Sequence, residues 1–241
     1  MLTKKNRVWA IAALLGGVIG FSACLKQKDY GPPRIPYTAA IINAAWNPSS
    51  LDIFKNGSKM NSNPYQMSAS SPFQDYSGKY TFSFRTTKGI GLDSVSRQFD
   101  STKFYTMIGY NDLSGAFAVR YQQEDFSQLS NAKVNVRFLN LSTNVGAVDL
   151  YINKKKVASS VTFSPVNDWL SLAPYNNMVD YHVTFAGKDS IIAKGTSRVS
   201  SSDTEVMFNT GYAYTIYLSG RKDSTGDNKL KLYYLSHTSG Y

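Results

Sequence analysis

The sequence predicts an all-β protein in which two tandem antiparallel β-sandwich domains follow a removable N-terminal leader and a short tether. Three observations predict it. The 241 residues include 17 Tyr and 13 Phe beside abundant Ser, Thr and Val, a composition that favours strands. Short segments of alternating apolar and polar residues are punctuated by turn residues, with no long amphipathic helical pattern among them. A repeat of about 97 residues runs through the chain, so what one half forms the other forms too.

Residues 1–23 divide as a secretory signal does. Lys4, Lys5 and Arg7 make a basic start, Val8 to Ile19 is an uncharged apolar run, and Gly20 to Ala23 is a small-residue exit interrupted by Phe21. The apolar run is about a dozen residues, against the roughly 20 that a helix needs to span a bilayer, so the segment reads as one to be cleaved. Cys24, the only cysteine, stands directly behind Ser22-Ala23. This arrangement resembles the bacterial lipobox, although Phe21 replaces the usual Leu at its first position. The resemblance implies a lipid on the Cys24 sulfur and Cys24 as the first mature residue. A thiol used as an acyl acceptor also accounts for the single cysteine.

Residues 24–36 are the lipidated cysteine and a tether. Leu25 to Pro36, LKQKDYGPPRIP, carries three prolines and alternating charges, too little apolar surface to fold and a bias towards extended backbone. Asp does not follow Cys24, which favours outer-membrane sorting in a host with two membranes, and Gln27-Lys28-Asp29 faintly resembles surface-export signals of Bacteroidota lipoproteins. The expected address is the cell envelope, lipid-anchored, facing the periplasm or the surface. The formal charge of +10 falls to about +7 without Lys4, Lys5 and Arg7, and the remaining cations are dispersed. Lys154-Lys155-Lys156 lies at a predicted hairpin tip. With no nucleic-acid motif and a secreted address, nucleic acid is excluded as a partner; attraction to anionic lipid or acidic glycan is the milder consequence of the charge.

The repeat aligns Ile41 to Met60, IINAAWNPSSLDIFKNGSKM, with Phe138 to Val157, FLNLSTNVGAVDLYINKKKV, without a gap. Asn43 matches Asn140, Asn47 matches Asn144, Asp52 matches Asp149, Asn56 matches Asn153 and Lys59 matches Lys156. Further on, Tyr80 to Phe84 faces Tyr181 to Phe185, and Tyr105 to Ile108 faces Tyr214 to Tyr217. Two homologous domains follow, residues 37–128 and 129–241.

In the first domain strands are expected near Thr38 to Ala45, Ser50 to Lys55, Ser58 to Met60, Lys79 to Arg85, Ser94 to Phe99, Phe104 to Tyr110 and Gly115 to Gln122. Asn56-Gly57 supplies the positive backbone dihedrals of a tight hairpin. In the second they fall near Ala132 to Leu141, Ala147 to Asn153, Lys155 to Ala158, Asp180 to Ala186, Ser190 to Ala193, Tyr212 to Ser219 and Lys229 to Leu235. That density of short strands is the density of a sandwich. The polar stretch Gln122 to Asn131 reads as the junction, and a fragment beginning near Asn131 is expected to fold alone.

Val136 to Ala158, VRFLNLSTNVGAVDLYINKKKVA, resembles the opening of the domain-of-unknown-function family numbered 4397, and Gly211 to Gly220, GYAYTIYLSG, resembles its Tyr-Thr strand. The resemblance covers most of the second domain and, more faintly, the first, where Ala44-Ala45-Trp46 replaces Leu141-Ser142-Thr143. It implies an immunoglobulin-like β-sandwich, often in tandem on secreted or lipid-anchored bacterial proteins, with no general activity assigned.

The residues offer little chemistry. Asp52 and Asp149 each sit between apolar neighbours in a strand, where a structural role is expected. No two acids are marked out as the facing carboxylates of glycoside hydrolysis. His182 lies in a strand and His237 in a C-terminal tail, without zinc-ligand spacing, and the serines have no His and acid partners for a triad. Gly89-Ile90-Gly91 reads as a turn. No catalytic residue, metal or cofactor is expected. Aromatic residues in or near predicted loops, Trp46, Trp169, Tyr65 and Tyr175, are the candidate ligand contacts: each ring could stack on a sugar or plug a sandwich end. They sit in Trp46 to Ser49 and in the divergent segments Asn61 to Ser77 and Ser159 to Asn177; Thr143 to Gly146 is the matching loop of the second domain.

The function these features favour is a non-enzymatic, lipid-anchored envelope protein that binds or scaffolds, touching the membrane through Cys24 and a glycan or another envelope protein through its loops. Two alternatives carry their own discriminators. An accessory enzyme acting on surface glycans needs two carboxylates across an open cleft, and a subunit of a surface appendage needs an unpaired sheet edge or a terminal strand that does not pack within its own domain.

Overall fold

The structure, a computed structural model, describes residues 34–69, 72–176, 179–196 and 208–237. The leader, Cys24 and most of the tether lie outside the described residues. In the first repeat the chain forms β1 (Pro36–Asn43), β2 (Leu51–Lys55), β3 (Ser58–Lys59), β4 (Ser68–Ala69), β5 (Phe73–Tyr76), β6 (Gly78–Thr86), β7 (Gly91–Phe99), β8 (Phe104–Asn111) and β9 (Phe117–Glu124). The second adds β10 (Val134–Asn140), β11 (Val148–Ile152), β12 (Lys155–Val161), β13 (Trp169–Leu172), β14 (Asp180–Phe185), β15 (Ile191–Thr196), β16 (Ala213–Ser219) and β17 (Lys231–His237).

Each repeat is a pair of packed sheets. In the first, β3-β2-β6-β7 faces β4-β1-β8-β9, with β5 also on β1; in the second, β12-β11-β14-β15 faces β13-β10-β16-β17. Period-two alternation fills the two cores. Ile41, Leu51, Ile53, Phe82, Phe84, Phe99 and Met107 meet in one, and Phe138, Val148, Leu150, Val183, Phe208 and Ile216 in the other. Between the described strands the pairing is antiparallel except in two pairs the sequence reading did not foresee: β1 runs parallel to β8, and β10 to β16. Both pairs join the first strand of a repeat to one reached after the chain has crossed to the other sheet and back.

The repeat carries its hydrogen bonds with it. Asn56 and Asn153 begin the two hairpin tips with φ of 48° and 46°, and each side-chain oxygen accepts an N–H from the strand paired on the other side, that of Thr81 of β6 and Asp180 of β14 respectively. Asn43 donates to the carbonyls of Ser49 and Tyr65 and accepts from Ala45 N–H; Asn140 donates to Gly146 and Val161 and accepts from Ser142 N–H. The Tyr105 hydroxyl accepts the Asp100 N–H at 2.8 Å, as the Tyr214 hydroxyl accepts that of Asn209 at 2.8 Å. One alignment needs correction: Phe82 stands opposite Lys55 where Tyr181 stands opposite Ile152, so the match of Tyr80 with Tyr181 is displaced by two residues. A shift of two leaves every side chain on its own face, so the pattern alone could not reveal it.

Strands β4, β5 and β13 occupy segments expected to be loops, so Trp169 begins a strand. They are short pieces held by backbone pairing to β1 or β10, with too few residues for a period to show.

The outer faces of the two β1/β8 and β10/β16 sheets do not meet solvent. They meet each other, in a third buried cluster of Ala40, Ile42, Ala44, Phe104 and Ile108 from the first repeat and Leu139, Leu141, Tyr217 and Leu235 from the second. All seven residues of β10 and all seven of β16 are buried. The described chain is thus four sheets deep, with a dry seam at its middle.

Candidate functional site at the seam between the sandwiches

The seam gathers a set of buried polar residues from both repeats. Arg137 on β10 is 1% exposed. Its Nη1 and Nη2 donate to Glu124 at the end of β9, at 2.9 and 2.7 Å, making a bidentate ion pair between the repeats. Its Nε and Nη2 also reach the Thr215 hydroxyl on β16, at 3.3 and 3.0 Å. With those donors facing its lone pairs, the hydroxyl directs its own proton to His237 Nε2, 2.9 Å away. His237 therefore accepts as a neutral imidazole. Burial and the nearby Arg137 charge hold its pKa well below the ordinary 6.5. Expected in a loose tail, His237 instead ends β17 among Phe104, Phe126 and Trp169, with ring centroids 5.0 to 5.5 Å away. Phe126 comes from the junction read as polar.

Trp46 and Trp169 both close this seam. Trp169 lies with the Arg137 guanidinium 4.6 Å from its ring centroid. At the opposite end of the strands, Arg221, which follows β16, lies 4.6 Å from the ring centroid of Trp46, which follows β1. Asn111 fixes that loop by accepting the N–H groups of Trp46 and Asn47. Arg221 is forked onto Asp223 at 2.9 and 2.8 Å, and Asp223 also accepts from Asn144 at 2.8 Å. The Arg221 guanidinium first, and Asn144 in addition, bring the Asp223 carboxyl down to about 2. The loops Trp46 to Ser49 and Thr143 to Gly146 are thus linked through Arg221 and Asp223, which the sequence reading did not single out.

The other aromatic candidates stand apart from these. Tyr65 pairs its backbone with Leu51, donates its hydroxyl to the Ile41 carbonyl at 3.1 Å and packs on the first core. Tyr175 packs on the second core, and burial raises its pKa. All four rings are half-buried and held by protein neighbours.

The matching acids clamp their own hairpins. Asp52 pairs with Lys59 at 2.9 Å and Asp149 with Lys156 at 2.6 Å, the same two repeat positions. Asp149 also accepts the N–H groups of Ser160 and Gly187, and with Lys156 these hold its carboxyl below the usual range. With Glu124 these are the buried acids among the described residues, and each is engaged internally. Among the described residues no group of three or more His, Cys, Asp and Glu could hold a metal ion, and no helix is long and apolar enough to cross a membrane.

A chain of two repeated β-sandwiches sealed face to face is a tandem-domain protein whose cores and seam are both structural. The model of the domain of unknown function DUF4397 matches it twice, over residues 38–151 and 134–239, and the chain belongs to that family. No curated protein matches it.

Proposed function

We propose that this is a lipid-anchored protein of the cell envelope, in the outer membrane of a two-membrane host, acting without catalysis as a binding or scaffolding module. The seam carries the reading. Its bidentate ion pair and apolar cluster join the repeats into one stiff body, while the sheets β3-β2-β6-β7 and β12-β11-β14-β15 keep outward faces for a partner. The anchor rests on Cys24 behind the apolar leader, and the Pro-rich tether would hold the body off the bilayer. An immunoglobulin-like assignment, with domains at 37–128 and 129–241, is supported by the paired Tyr105 and Tyr214 hydroxyls bonding upstream backbone, as in the tyrosine corner of that fold. The first and last described strands, β1 and β17, pair within their own sheets, so a strand-exchanging appendage is left with the open sheet edges, β17 among them, as its supporting feature.

Two experiments test it. Metabolic labelling with a fatty-acid analogue should mark the wild-type chain and not Cys24→Ala; equal labelling would remove the anchor. A glycan array and an envelope pull-down with the purified full chain should return a ligand bound without turnover.

A further inference from the structure

The outward face of the sheet β12-β11-β14-β15 carries a row of side chains that the seam does not use. Lys156, Tyr151, His182 and Lys194 are successive cross-strand partners on its four strands. Their neighbours Leu150, Ile152, Tyr181, Val183 and Ala193 point into the core, so the period of two turns this row outward. The rings of Tyr151 and His182 stack with centroids 5.0 Å apart and planes within 3°. Lys156 sits 5.4 Å from the Tyr151 centroid and is neutralised by Asp149. The other end of the row is unsatisfied. Among the described residues the His182 side chain makes no hydrogen bond and Lys194 no ion pair. Together with Asp180, Ile191 and Thr196 they line an open groove of about 460 Å³, with Ile191 56% exposed.

The first repeat shows that the scaffold does not require this row. Its equivalent positions hold Lys59, Phe54, Ser83 and Ser94, with neither the imidazole nor the second ammonium. We propose that the groove binds an acidic polysaccharide, a uronate carboxylate lying between Lys194 and His182 and the C–H face of the sugar resting on Ile191. This rests on reading the chain as a binding module. The chemistry favours a discrete carboxylate over a lipid surface: insertion into a bilayer needs several apolar side chains, and Ile191 is the exposed one lining this groove. Asp180 on its rim would oppose a continuous anionic sheet yet leaves the Lys194 end free for one carboxylate.

The test is affinity electrophoresis of the full chain in gels containing polygalacturonate or, as neutral control, dextran, beside cosedimentation with vesicles of phosphatidylglycerol and phosphatidylcholine. Polygalacturonate should retard the chain and dextran should not. Lys194→Gln and His182→Gln should each weaken retardation about tenfold, the loss of one charge-assisted contact, while Ser83→Ala changes nothing; Lys194 is exposed, so Lys194→Gln should keep the wild-type melting temperature, and His182→Gln, which loses a half-buried stacked ring, is compared well below its own melting temperature. Retardation absent, equal in dextran, or unaltered in both variants overturns the assignment, and vesicle binding without polygalacturonate binding gives the face to a membrane instead. If polygalacturonate fails while the array returns another ligand, the binding-module reading stands and this assignment alone falls.

Discussion

Glu124 and Arg137 were overlooked in the sequence for a reason that can be stated. Glu124 sits inside a polar stretch, Gln122 to Asp125, and nothing in its neighbours says that it is buried. Arg137 was visible: in the apolar run Val134 to Leu141 a guanidinium interrupts the strand, and a buried charge there must find an anion. The anion lay 13 residues back, in a segment read as a junction. Because each ion is held by the other in a dry seam, removing one strands its partner. Glu124→Ala should cost about 3–5 kcal/mol of stability by urea denaturation, whereas the double change Glu124→Leu with Arg137→Met should cost much less. His237 gives the seam a pH dependence. Its folded pKa is depressed, so below 6.5 the unfolded chain takes up a proton that the folded chain does not. This contribution to stability is complete above 6.5 and declines as pH falls, by at most about 1.4 kcal/mol per pH unit. His237→Gln should remove that component from a series of denaturation midpoints between pH 7 and 5.

The elements were mostly legible, and the misses follow one pattern. Hairpin strands with two-sided character, such as β2, β6, β11 and β14, lie close to their expected positions because alternation reports a half-buried face. Segments such as Tyr105 to Tyr110 and Tyr214 to Ser219 are apolar on both faces, which is how strands buried on both sides read, and the parallel pairs lie there. That near-continuous run was the available sign of the seam. Within an element, space is set locally. Gly195 on β15 has no room for a side chain: a Cβ would lie 2.5 Å from the Tyr181 ring, which is 2% exposed. Gly195→Ala should therefore lower stability by about 1–3 kcal/mol, the range for overpacking a filled core, and the melting temperature would register it. The matched Asn43 and Asn140 were read as a signature only, since no spacing rule reveals that an amide ties three backbone groups across a loop.

For the whole molecule the seam alters one expectation. A fragment beginning near Asn131 keeps its own core, yet it would expose Leu139, Leu141, Tyr217 and Leu235 and leave Arg137 without its anion. We expect the full chain to unfold in a single transition and the fragment to melt at lower temperature, broadly or with association, in calorimetry and sedimentation. A fragment as stable as the full chain would mean that the seam contributes nothing.

The two faces that form the seam occupy equivalent positions in the two repeats, so their contact has the approximate symmetry of a dimer: β17 packs against β4, while Phe126, after β9, packs against Trp169 at the start of β13. The ion pair breaks that symmetry. The positions equivalent to Glu124 and Arg137 are His237 and Ala40, as the strand registers show. Two first halves from different molecules would therefore set Glu124 against Ala40, and two second halves would set Arg137 against His237, each leaving an ion buried and unmatched. Only a first half facing a second satisfies both, and the covalent junction supplies that combination at high local concentration. An interface shaped like that of a homodimer is in this way confined to one molecule, and its own asymmetry disfavours pairing between like halves of neighbouring molecules.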